Sequence, residues 1–189
     1  MFTRLAERVL GVGRWLTLKE LTYRTSAGDE VRWECLERVK RPAGVVVVAR
    51  LEPSGRYVLI RQYRPGLEKT VVGFPAGLVE QGEPGAAALH ELAEETGYHG
   101  DLVRVSPPLY TGAGITNEVM HVAEVRVDET LAANADPQPQ LEPAEHIETV
   151  LVAETELPAF FAGEQAQGRV LGAGPWYWFA ARQPVRDNE

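Results

Sequence analysis

One stretch of this chain admits a single reading of its backbone. The segment GAAALHELAEET, Gly85 to Thr96, is rich in helix formers, with Pro84 in front of it and Gly97 behind it. A proline costs little in a first turn, where its missing N–H would have no partner anyway. A glycine just past the end suits the left-handed residue that closes many helices. At about 100° per residue, Glu91, Glu94 and Glu95 share an arc of roughly 100°, and Ala88, Leu89, Leu92, Ala93 and Thr96 lie on other sides. Spacings of three and four bring such side chains to about 5–6 Å at Cβ, where like charges repel. The helix C-terminus adds its own negative end. Between Arg64 and Arg104 the only cation is Lys69. A solvated acidic face accommodates such a triplet, and so does a hard divalent cation, which takes oxygen ligands.

The rest of the chain reads mostly as strands. Trp15 to Thr25 and Glu30 to Arg38 flank the turn Ser26-Ala27-Gly28-Asp29 and form a predicted hairpin. Val45 to Leu51 is almost continuously β-branched and apolar, as a buried strand requires. Further strands are expected at Tyr57 to Tyr63, Leu102 to Ser106, Glu118 to Val127 and Ile147 to Ala153. Helices are expected at Glu156 to Ala166 and Pro175 to Arg182, and a polar, proline-bearing loop at Asn134 to Glu145. Strands around a few helices give a mixed α/β layered fold.

A chain of 189 residues suits one main domain. Its net charge of −8 argues against a nucleic-acid surface, which needs a basic patch. The single Cys35 excludes an internal disulfide. No apolar run approaches a membrane span and no signal-peptide pattern stands at the N-terminus, so a cytoplasmic location is the expectation.

The segment Gly73 to Tyr98 resembles the Nudix box. Gly77 is followed by five residues and Glu83, and then, after six more, by His90-Glu91-Leu92-Ala93-Glu94-Glu95-Thr96-Gly97-Tyr98. It departs from the family pattern twice: seven residues are usual before the second half, and an Arg usually stands where His90 does. The resemblance implies a Nudix fold, an α/β/α sandwich with a mixed sheet, here preceded by the N-terminal hairpin. Residues 1–40 would be a dimerisation and base-stacking element and 41–189 the hydrolase domain. It also implies Mg2+, with Mn2+ as the alternative, held by Glu91 and Glu95, by Glu94 as a further ligand or orienter, and by the Ala76 carbonyl.

Beyond the box, GRWLTLKELTY, RWECLERVKR, LIRQYRP and NADPQPQLEPAEHIETV are similar to the ADP-sugar pyrophosphatase subfamily. That likeness implies hydrolysis of ADP-ribose to AMP and ribose 5-phosphate by a homodimer with swapped N-terminal strands. Trp15 and Trp33 would stack on the adenine, Arg38 and Arg64 would bind the diphosphate or its sugars, and the Leu78 backbone would lie near the ribose. Both tryptophans could equally be core or interface residues, and both arginines surface ion pairs. The general base falls on the polar loop, at Glu145 with Glu142 as runner-up, and the loop itself has the form of a lid. Another nucleotide sugar, such as GDP-mannose, is the rival substrate. A Nudix domain that binds a nucleotide without hydrolysing it, as a sensor, is the rival of a different class.

Overall fold

A computed structural model describes residues 1–40, 43–80, 82–143 and 145–180. In chain order the elements are β1 (Thr3–Val12), β2 (Leu16–Arg24), β3 (Glu30–Arg38), β4 (Ala43–Glu52), β5 (Arg56–Arg64), β6 (Lys69–Gly73), β7 (Ala76–Val79), α1 (Pro84–Thr96), β8 (Asp101–Val105), β9 (Met120–Asp128), β10 (Ile147–Ala153), α2 (Leu157–Ala166), β11 (Val170–Leu171) and α3 (Ala173–Ala180).

The valine run of β4 forms the centre of the main sheet. That sheet runs β11-β6-β5-β4-β9-β8, with β10 added to β5 and β7 added to β4. β4 pairs in parallel with β9 over nine residue pairs, from Gly44↔Met120 to Glu52↔Asp128, and most other pairings are antiparallel. β4 meets β5 only at Arg50↔Tyr57, while its start pairs with β7 from Ala43↔Val79 to Val46↔Ala76. The sheet therefore splits, and β7 enters the split beneath α1.

Strand alternation sends the two faces to different helices. Val45, Val47, Ala49, Leu51 and Val58 pack under Ala88 and Leu92 of α1. Val48, Tyr57, Leu59 and Val72 pack against Leu157 and Phe161 of α2 and Phe179 of α3. Each buried Leu or Val contributes about 1.5–3 kcal/mol, so the alternation fixes which side of every core strand faces α1. The result is the three-layered mixed α/β sandwich that the sequence implies.

Three details differ from the sequence reading. The expected N-terminal hairpin is present as β2 and β3, and β1 adds a third strand to it. β1 escapes notice because all ten of its residues are exposed and its pairing shifts register twice, which erases any alternation. β6 and β7, at five and four residues, are too short for a periodicity to show. The third helix begins at Ala173, two residues before the expected Pro175, and the expected end at Arg182 lies outside the described residues.

Candidate active site

The α1 helix has the caps its sequence promises. Pro84 occupies the first turn, and Gly97, at φ 74°, donates its N–H to the Ala93 carbonyl. The neighbouring Glu94 carbonyl accepts from the Gln140 N–H at 2.8 Å. A side chain on Gly97 would strike the backbone of Pro137 and Gln138. The polar loop is thus folded onto the end of α1, and the absence of a Cβ at Gly97 is what lets it approach.

Glu95 is 2% exposed, and its Oε2 accepts the Ala76 N–H at 2.9 Å. Burial is the main cause that pushes its carboxyl up to about 8; the Ala76 N–H opposes this, Glu91 and Glu145 add to it, and Arg64 opposes it again. Glu91 is half-buried, and its carboxyl is likewise raised, first by burial and then by Glu94, against the pull of His90 and the Leu78 backbone. A Cβ at position 77 would collide with the Glu91 carboxylate, so the glycine of the Phe74-Pro75-Ala76-Gly77 turn makes room for it. Glu94 turns aside to His90, with Nε2 to Oε2 at 3.1 Å.

Glu91 and Glu95 therefore face the Ala76–Leu78 backbone, within electrostatic reach of Arg64 and Glu145. Glu145 is half-buried, and its Oε2 accepts the Glu142 N–H at 3.0 Å. Among the described residues no three His, Cys, Asp or Glu side chains are already gathered around a cation position. Glu94 instead stands beside His90, and Glu95 accepts the Ala76 N–H. The donor chemistry still fits a divalent cation. A buried carboxylate, Glu95, and a half-buried one, Glu91, stand together with their pKa values raised, and a hard cation would relieve both burial and repulsion.

Of the residues expected to bind substrate, Trp15, Trp33 and Arg38 lie on or beside the N-terminal sheet, and Arg64 and Leu78 on the main one. Trp15 and Trp33 are 65% and 55% exposed. They share a face but do not meet. Arg38 pairs with Leu16, and the Val39 N–H then reaches the Trp15 carbonyl, so six residues separate Trp33 from the level of Trp15. At about 3.4 Å per residue that is roughly 20 Å, too far for one base to touch both rings. The Trp33 indole N–H donates to the Gly114 carbonyl at 2.8 Å. Arg38 donates from Nε to Glu118 at 2.9 Å. Arg64 is exposed at the end of β5, and Leu78 is half-buried on β7 opposite Gly44.

Sequence reasoning passed over two residues here. Glu118, which holds Arg38, carries no local pattern. Gln62 on β5 has a buried amide oxygen with no hydrogen-bond partner among the described residues, and only the packed structure exposes that.

The model of the NUDIX domain family matches residues 40–171, well over half of the chain. The chain belongs to the Nudix family. It is 31% identical to the Mus musculus "ADP-sugar pyrophosphatase" over 160 residues, 80% of this chain and 73% of the relative. It is 32% identical to the Saccharomyces cerevisiae "ADP-ribose pyrophosphatase" over 169 residues, 85% and 73% of the two chains. A "GDP-mannose pyrophosphatase" of Klebsiella pneumoniae is 31% identical over 114 residues, 57% of this chain and 58% of the relative. The solved structure of an "ADP compounds hydrolase" superposes with a TM-score of 0.66, 21% identity and coverage of 89% and 97%, a likeness of fold. Nudix hydrolases use a divalent metal, which agrees with the Glu91–Glu95 pair.

Proposed function

We propose that this chain hydrolyses the pyrophosphate bond of ADP-ribose, giving AMP and ribose 5-phosphate, with Mg2+ as its metal. The observation that carries the reading is the pair of the buried Glu95 and the half-buried Glu91, set against the Ala76–Leu78 backbone with Arg64 and Glu145 in electrostatic range. Kinship with relatives named for ADP-ribose and ADP-sugars supports the substrate.

Glu91 and Glu95, with Glu94 once it leaves His90 and with the Ala76 carbonyl, would hold the metal. A bound divalent cation supplies charge neutralisation to the diphosphate and acidity to a water. Arg64 and Arg38 present planar guanidinium groups suited to phosphate oxygens. Glu145 accepts the proton of the attacking water, with Glu142 as runner-up, since its own N–H already bonds to the Glu145 carboxylate.

Adenine stacks on Trp33 of one subunit and Trp15 of another. The separation of the two rings along one sheet supports a homodimer with exchanged N-terminal strands, because within one chain they cannot clasp a single base. In this reading residues 1–40 form the dimerisation element and 41–189 the hydrolase domain. No helix among the described residues is long and apolar enough to cross a membrane, and the proposed location is cytoplasmic.

Incubation with ADP-ribose, ADP-glucose, GDP-mannose and NADH in the presence of Mg2+ or Mn2+, with both products read by chromatography, tests the proposal. AMP and ribose 5-phosphate formed fastest from ADP-ribose is the expected result. Preference for GDP-mannose would transfer the assignment to the chemistry named for the Klebsiella relative. Binding without turnover would favour the sensor, whose support is the short spacing before His90 and the His90 that stands where the family has Arg.

A further inference from the structure

Gln62 is 8% exposed, and its Oε1 is buried without a hydrogen-bond partner among the described residues. A buried carbonyl left unpaired is costly, and native structures keep few of them. Its place in the sheet shows what could pair with it.

β5 alternates without a break along β10, from Ala153↔Arg56 to Ile147↔Gln62. Val58, on the same face as Gln62, packs under α1 with Leu151 of β10. Tyr57 and Leu59 point to the opposite layer, and Arg61 follows them to bond Glu164 of α2 at 2.9 and 2.7 Å. Gln62 therefore faces the α1 side, two residues before Arg64 on the same face. On β10 its partner is Ile147, and the Tyr63 N–H to the His146 carbonyl, at 3.3 Å, carries the pairing one residue beyond it. Glu145 thus enters the sheet at the level of Arg64. Gln62 lies one residue pair further into the sheet than Arg64 and Glu145, both of which act electrostatically on Glu95.

We propose that Gln62 is a further catalytic residue, whose side-chain oxygen accepts a hydrogen bond from the attacking water and aligns that water with Glu145. The inference rests on the hydrolase reading above. A water that attacks phosphorus needs two acceptors to fix it, one for the proton it loses and one for the hydrogen it keeps. Glu145 takes the first proton, and the Gln62 amide, which cannot ionise, holds the second hydrogen. The water oxygen forms the new P–O bond as the bond from that phosphorus to the bridging oxygen breaks. The bridging oxygen leaves on the other phosphate, and the hydrogen facing Gln62 stays on the transferred oxygen.

The test is Gln62→Met, which keeps the volume and removes the polar atoms. A residue that only carries a costly buried orphan should gain from this change. The expected result is a thermal midpoint of the metal-free protein equal to or above that of the parent. In the same variant kcat for ADP-ribose should fall about 10- to 100-fold, the worth of one hydrogen bond made to a reacting group, with KM within about twofold. Gln62→Asn, which keeps the amide at shorter reach, should show the same split between kcat and KM and serves if the methionine variant does not fold. Full kcat in either variant overturns the inference while leaving the hydrolase reading intact. A parent protein that turns over no nucleotide sugar overturns both.

Discussion

The two sheets of this molecule solve opposite problems. In β4 six of ten residues are buried, and the strand is held from both sides by helices and on both edges by other strands. In β1 none is buried, and Phe2, Leu5, Val9, Leu10 and Val12 beside it or within it stand open to solvent. The proposed chemistry sits on the first kind of support, where Glu91 and Glu95 are held against the packed core. The proposed recognition sits on the second kind. Trp33 is fixed by backbone pairing and a bond to the Gly114 carbonyl, and Trp15 by the Val39 N–H, on a sheet whose exposed apolar side chains would suit a second subunit. On the proposed function, position would be supplied within the chain at one end and by association at the other.

The sharpest break of this contrast comes at Glu95. Glu95→Gln should lower kcat by about 10²–10³-fold or more, as expected when a group that stabilises transition-state charge is lost. The same change should raise the stability of the metal-free protein above pH 7, since it removes the cost of holding that buried carboxyl protonated or, above about 8, charged. The sign follows from the raised pKa. Between about 4.5 and about 8 the folded state holds a proton that the unfolded state has lost, so metal-free stability falls as pH rises through that window. Metal binding must expel this proton, so affinity should rise up to tenfold per pH unit toward 8 and then level off. Thermal melts and metal titrations from pH 5 to 9, with and without the substitution, check both slopes.

A loss of comparable or smaller size is expected from Glu145→Gln. General-base catalysis is worth about 10²–10⁴-fold, and KM should change little. A deeper loss in Glu142→Gln would move the role to that residue and leave Glu145 as the acceptor that shapes the loop.

The smallest effect belongs to the exposed sheet. Trp33→Ala should raise KM with kcat preserved, by the roughly 1–3 kcal/mol that stacking contributes per base. If the rings of two subunits clasp the base, dilution below the dimer dissociation constant should reproduce the same rise in the parent protein. A KM that does not depend on protein concentration, down to a concentration where light scattering finds monomers, would sink the shared site.

The α1 helix was legible in the sequence because its signals are local: a proline, a glycine and three acids at fixed spacing. So was the split of the core into two faces, since Val45 to Leu51 carries it in one run. The burial of Glu95 was not legible. An arc of three acids looks alike on paper, yet Glu95 turns inward to Ala76 while Glu94 leans outward to His90. The distance between Trp15 and Trp33 was hidden too, because it depends on a register that two residue names do not state. Gln62 was invisible for the plainest reason: the lack of a partner is a property of its surroundings.

The bond from the Gln140 N–H to the Glu94 carbonyl gives the polar loop an unusual mechanical standing. A lid is commonly pictured as hinged at both ends and free between them. Here the middle of the loop is stitched to the last turn of the helix whose side chains would carry the metal, and Gly97 keeps the seam tight. Any tilt of that helix end carries Gln140 with it, five residues ahead of Glu145, so on the proposed function the base and the metal ligands would ride on one lever instead of two.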